Sequence, residues 1–256
     1  MGVLIVARYL DRKEKVARFH MAASSGNVEE VRMLIEDGID LEIREGSSTP
    51  LMTAALEGQL EVVETLIDAG ADPTARVFGG SPLVYWAATR APSAVFLKVL
   101  DAADAFDPNS MVGGESALYA RLRIRGRKSV FFRGDDDVPS IKRLLDEGAD
   151  PNFMGRNGPL LFVALEHRTP EVVRILCQVG ADPNVQHSGG HYPLHSAIVI
   201  GLEHVKALVE NGADPTLKDA QGRTALEAAQ NLMETYPSLE LTKVIEYLER
   251  EQEGRN

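Results

Sequence analysis

Residues 49–74 read TPLMTAALEGQLEVVETLIDAGADPT, and the spelling of that stretch decides the fold. Thr49 before Pro50 suits a helix N-cap followed by the first helical position: the hydroxyl accepts an orphan backbone N–H, and proline has none to leave unsatisfied. Ala54 and Ala55, one turn later, let this helix approach its neighbours closely, and Gly58 ends it. Val62, Val63, Leu66 and Ile67 recur at helical spacing and form the buried face of a second helix. Gly70 supplies a left-handed C-cap, and Asp72-Pro73 leads into an extended turn. The unit is helix, turn, helix, finger.

The same phrase returns along the chain. Its openings are Thr49-Pro50-Leu51, Ser81-Pro82-Leu83, Ser116-Ala117-Leu118, Gly158-Pro159-Leu160, Tyr192-Pro193-Leu194 and Thr224-Ala225-Leu226, with Phe19 in the leucine place of an earlier copy. From Phe19 to Leu226 successive copies lie 32, 32, 35, 42, 34 and 32 residues apart. Gly148, Gly180 and Gly212 close second helices as Gly70 does. A period near 33 with this opening resembles the ankyrin-repeat family, over nearly the whole chain and in about seven copies.

That resemblance implies an all-α fold, an α-solenoid of stacked repeats with β-turn fingers, capped at both ends, and a role in binding other proteins. One repeat cannot bury its apolar face alone, so neighbours must stack and the ends must be capped. The chain reads as a single domain, 1–256: a cap helix over about 3–19, repeats over about 16–47, 48–80, 81–114, 115–157, 158–190 and 191–222, and a C-terminal cap repeat over about 223–251 with a polar last helix. Apolar content of 44% allows a substantial core. Gly2 to Ala7 is too short and too little preceded by basic residues for a secretory signal core, and no stretch approaches a membrane span. The expectation is a cytoplasmic protein. Its one cysteine, Cys177, lies in the apolar run of a second helix as an inert thiol.

The net charge of -11 disfavours nucleic acid and membrane surfaces and favours a basic protein partner, the chain being a monomer when free. One stretch opposes this charge. Arg121, Arg123, Arg125, Arg127, Lys128 and Arg133 fall between the two helices of the fourth copy, followed by Asp135, Asp136 and Asp137. From the opening leucine or phenylalanine to the closing glycine, Ala105 in the third copy, this copy spans 30 residues against 18 to 22 elsewhere, which places a basic insertion at about 123–138. Phe131 and Phe132 give it an aromatic tip. It is either a contact loop for a partner or a tolerated surface loop whose arginines pair with the neighbouring acids; long insertions cost little loop entropy. Arg121 stands in an alanine's place, so that either the stack splays there or the guanidinium reaches the loop acids. Trp86 is a similar anomaly in the third copy.

In the family, fingertips and first-helix ends make the contacts. That resemblance selects Arg44, Glu45, Val77, Phe78, Met111, Val112, Met154, Arg156, His187, His191, Gln221 and Arg223 in the fingers, and Leu56, Glu57, Thr89, Arg90, Leu165, Glu166, Val199 and Ile200 at helix ends. Apolar fingertip residues suit an interface core. The basic side chains of the insertion complete the candidate surface.

No constellation promises catalysis. His187, His191 and His195 are spaced for a metal on a continuous helix, but Gly189-Gly190 and Pro193 interrupt them. His195 matches the histidine of the family phrase, where the resemblance implies hydrogen bonding between repeats. No nucleophile elbow, phosphate loop or paired-cysteine motif occurs, so no cofactor is expected. The function expected is a non-catalytic protein-binding module that uses its concave surface and inserted loop. An inhibitor or immunity protein, antitoxin-like, that neutralises a basic toxin or enzyme by occlusion is the alternative within the same class. A metal-binding or enzymatic protein using the histidines is the alternative outside it.

Overall fold

A computed structural model describes residues 2–77, 80–104, 106–123, 137–167 and 169–254, with side chains from Arg12 onward except at His167. The described residues divide into two compact units, one up to residue 107 and the other from residue 108 onward. Both are built from antiparallel helix pairs in the stacked-repeat, all-α manner. The first unit holds α1 (Gly2–Ser25) with α2 (Val28–Glu36), α3 (Pro50–Leu56) with α4 (Leu60–Asp68), and α5 (Leu83–Arg90) with α6 (Ser93–Ala102). The second holds α7 (Ala117–Arg123) with α8 (Val138–Asp146), α9 (Leu160–His167) with α10 (Pro170–Gln178), α11 (Pro193–Ala197) with α12 (Leu202–Val209), and α13 (Ala225–Thr235) with α14 (Leu239–Glu253). Between α8 and α9 a short hairpin pairs β1 (Met154–Gly155) with β2 (Gly158–Pro159), Met154 opposite Pro159. No helix among the described residues is long and apolar enough to cross a membrane.

The caps show why the phrase is spelled as it is. Thr49 Oγ1 accepts from Met52 N at 3.3 Å, and Thr224 exchanges a capping box with Glu227 at 3.2 and 2.7 Å. Ser116 caps α7 through the Tyr119 N–H. Two openings depart from the expected register. Pro82 and Pro159 belong to the returning limb of a finger, Pro82 bridged to Arg76 and Pro159 in β2, and their helices begin one residue later. The finger takes the proline because Leu83 N and Leu160 N close it onto Ala75 O and Phe153 O. At the N-terminus the expected cap and the first helix of the first copy are one helix, α1, since no glycine or proline interrupts residues 3–25.

The Gly-Ala pair after α4, α8, α10 and α12 is a Schellman turn. After α4, Gly70 N donates to Ile67 O and Ala71 N to Leu66 O, both at 2.9 Å, with Gly70 at φ +94° where a Cβ would be strained. The alanine is buried against the helix it has just left. The asparagine of Asp-Pro-Asn stitches one finger to the next. Asn152 Nδ2 donates to Gly180 O and its Oδ1 accepts from Asp182 N, both at 2.8 Å, and Asn184 does the same to Gly212 and Asp214 at 3.0 and 2.8 Å. Asn109 stitches to Gly148 and Asp150 in the same way. Thr74 and Thr216 are too short to reach onward and bond their own Asp72 and Asp214. Asn152→Ala and Asn184→Ala should each cost about 1 kcal/mol, read as a lowered urea midpoint. An unchanged midpoint in both would mean that the stitches are exchanged for water without loss.

Candidate functional site

The second unit carries an open groove of about 540 Å³ lined by Phe162, Leu165, Glu166, His187, His191, Ser196, Val199, Ile200 and His204. Four chain segments build it, one of them α12, which contributes His204. The first is the inner face of α9, where Phe162, Leu165 and Glu166 follow one another at i, i+3 and i, i+4 spacing. The second is the finger before α11, which closes through His187 N to His191 O at 2.9 Å and Gly190 N to His187 O at 2.8 Å. The third is the end of α11, a helix of only five residues. Ile198–Ile200 pass from it into a turn, and Gly201 follows at φ +140°.

That early end exposes two apolar side chains. Val199 is 72% and Ile200 39% exposed, whereas the corresponding pair on α9 buries Leu165 and exposes only the charged Glu166. The opposite wall is aromatic: Phe162 lies 5.0 Å from His187 and 5.4 Å from His191, centroid to centroid, and the two imidazoles are 4.8 Å apart. Burial, and after it the neighbouring His187 and His195, hold His191 below the usual histidine range, so it is neutral at neutral pH. His195 stands outside this wall. Its Nε2 is 3.0 Å from Arg223 O in the next finger, and His20 bridges Thr53 and Ile43 from the same place in its own copy.

The structure therefore brings His187, His191, Glu166, Leu165, Val199 and Ile200 together. Phe162, Ser196 and His204 join them without having been expected. The signal for Phe162 and Ser196 lies in helical spacing, three residues before Leu165 and Val199. Met154 lies exposed on β1, and Arg156 in the same hairpin donates to Gly113 O. Met111 is exposed in the preceding finger. In the first unit Leu56 is half-buried, Glu57 is exposed, and Arg90 lies over the half-buried Trp86 ring at 4.9 Å. Phe78, Arg125, Arg127, Lys128, Phe131, Phe132 and Arg133 lie outside the described residues.

At the base of the insertion, Arg121 is fully buried and paired with Asp137. Of the two expectations for Arg121, the structure takes the reach to the loop acids. Arg123 is exposed on α7 and pairs with Glu115 at 2.9 Å. Cys177 is half-buried, its thiol pushed up to about 11 mainly by burial and then by Asp182. No group of three or more potential metal-ligating side chains occurs among the described residues.

A family model described as ankyrin repeats (3 copies) matches residues 7–77, 131–219 and 161–235. The chain is similar to the crystal structure of the ankyrin repeat domain of Bcl-3, described as a unique member of the IkappaB protein family. The identity is 26%, with a TM-score of 0.60, over 90% of this chain and 97% of that one. It is similar in fold to the human ASB11 ankyrin repeat domain at 20% identity and a TM-score of 0.66, over 90% of this chain and 96% of that one. Among curated protein sequences none matches this chain.

Proposed function

The chain belongs to the ankyrin-repeat family, whose fold is a protein–protein interaction module, and we propose that it seats its partner in the groove between α9 and the α11–α12 turn. The observation that carries this is the outward placement of Val199 and Ile200. Burying a valine or isoleucine side chain contributes about 1.5–3 kcal/mol, and the free chain leaves much of that unrealised at two adjacent residues. A partner surface that covers them recovers it. The aromatic wall and Leu165 continue the same apolar strip, and Glu166 and Ser196 give it polar edges, the pattern of an interface core with a rim. The role is binding without catalysis. The exposed Met111, Met154 and Arg156 extend the candidate surface along the fingers of the same unit.

Val199→Asp tests the reading. Because Val199 is already exposed, the substitution should leave helicity and thermal midpoint unchanged. Capture of the native partner from its source extract should fall by about tenfold or more, the effect of roughly 1.4 kcal/mol. Equal capture by the variant would move the interface off this groove.

A further inference from the structure

We infer that Trp86 and Arg90 on α5 form a second contact point, in the first unit and independent of the groove, and that it takes a carboxylate carried by a partner protein. Trp86 is the anomaly of the third copy, an indole where other copies have Ala22, Ala54 or Ala197. The buried face of α5 is made by Leu83, Val84, Tyr85, Ala87 and Ala88, while the Trp86 ring stays half-buried at its edge. What the ring holds is a guanidinium. Arg90, one turn on at i, i+4 spacing, lies back over it with the guanidinium carbon 4.9 Å from the ring centroid. That posture draws the charge away from the carbonyl end of α5, which a cation in the last turn ordinarily serves.

The chemistry of the pair is one-sided. An indole N–H and a guanidinium donate hydrogen bonds, and neither accepts one. Neither spends its donors on the described residues: the Trp86 indole N–H has no hydrogen bond there, and Arg90 has neither a hydrogen bond nor an ion pair. Other arginines of this unit do spend theirs. Arg18 pairs with Glu30, and Arg44 and Arg76 donate to the carbonyls of Ser47 and Gly80. Glu57, exposed at the end of the neighbouring α3, is not drawn onto Arg90.

Donors without acceptors call for an anion that only accepts. A carboxylate answers in charge and in shape, because its two oxygens can take two parallel N–H bonds from one guanidinium. Held on the ring, the guanidinium has less freedom to lose when those bonds form, and tryptophan and arginine are the side chains enriched where interfaces concentrate their binding energy. In a chain of net charge -11, a cation fixed in place and left unpaired selects an acid where the surrounding field repels one.

The test uses the full chain carrying Arg90→Lys, its source extract and a carbodiimide, which joins the introduced amine to a carboxyl group in contact with it. Tandem mass spectrometry of the products should find position 90 joined to an aspartate or glutamate of another protein, in larger yield than the exposed Lys142 and Lys218 of the same chain. Arg90→Gln should then bind the protein so identified about tenfold more weakly than the unaltered chain. Its helicity and thermal midpoint should not change, since Arg90 is exposed. Trp86 is the one tryptophan of the chain, so its emission reads occupancy of this point directly and should shift when that protein binds.

Products that join position 90 to acids of this chain alone, in the same or a second copy, would overturn the inference. So would a yield no higher than at Lys142 and Lys218, or equal binding by Arg90→Gln. Phosphatase treatment of the extract should leave the cross-link in place; its loss would give the point to a phosphorylated partner and overturn the carboxylate. Val199→Asp tests the groove in the other unit, so either reading can fail while the other stands.

Discussion

Arg121→Met should lower the free energy of unfolding by about 3–5 kcal/mol, the cost of leaving one member of a buried ion pair without its partner. Arg121 is the largest fully buried side chain described in the protein. Burial drives its pKa down, and Asp137 works against that by supplying the opposite charge and a hydrogen bond. Methionine keeps most of the volume, so the loss reports the stranded Asp137 carboxylate and not a cavity. Arg121→Met combined with Asp137→Asn should recover part of it, because the amide removes the stranded charge and leaves only a neutral polar group at the buried site. Urea unfolding of the three variants reads the cycle. A single-variant loss below about 1 kcal/mol would mean that the pair is solvated and that the base of the insertion is held by something else.

The pair also has a position that matters. Arg121 lies on α7 and Asp137 directly precedes α8, so the ion pair spans the two ends of residues 124–136. An insertion into a repeat must return the chain to the register of the next helix. Here a buried charge in an alanine's place, matched by one acid of the Asp135 to Asp137 run, joins its ends.

Gly155→Ala should cost about 1–3 kcal/mol through overpacking. A Cβ on Gly155 falls well inside van der Waals distance of the Tyr119 ring. That ring has little room to retreat. Tyr119 is fully buried, its phenol oxygen accepts from Asn157 N at 2.8 Å, and its ring meets Phe153 edge-on at 5.5 Å. Burial is also the main reason its phenol titrates above the usual tyrosine range. Tyr119→Leu should destabilise the protein alone, yet reduce the penalty of Gly155→Ala when the two are combined, since the clash is then gone. Additive losses in that double variant would show that the alanine acts elsewhere on the hairpin.

Much of the fold was legible because the repeat is spelled in local interactions. A threonine that caps and a glycine that turns left-handed act within a few residues of themselves, so their spacing carries their roles, whereas the asparagine stitches between fingers emerged only with the structure. The misread helix starts at Pro82 and Pro159 came from a competition that spacing does not display, between the helix and the returning limb of the finger. Arg121 was legible as an anomaly and not as a pair, because two outcomes were open for a charge in a small residue's place and only the position of Asp137 chose between them.

The sequence by itself determined that this is an all-α stack of ankyrin repeats, that one copy is longer than the rest, and that the chain is acidic, because period, capping chemistry and charge are properties of order and composition. The tertiary structure alone decided which side chains share a site. His191, Phe162 and Val199 come from a finger, a helix and a turn whose proximity is set by how neighbouring repeats stack, and the exposure of Val199 and Ile200 depends on where a five-residue helix stops. Stacking is a contact between units a full period apart in the chain, and the fit of one unit on the next is written in packing and not in any single stretch of residues.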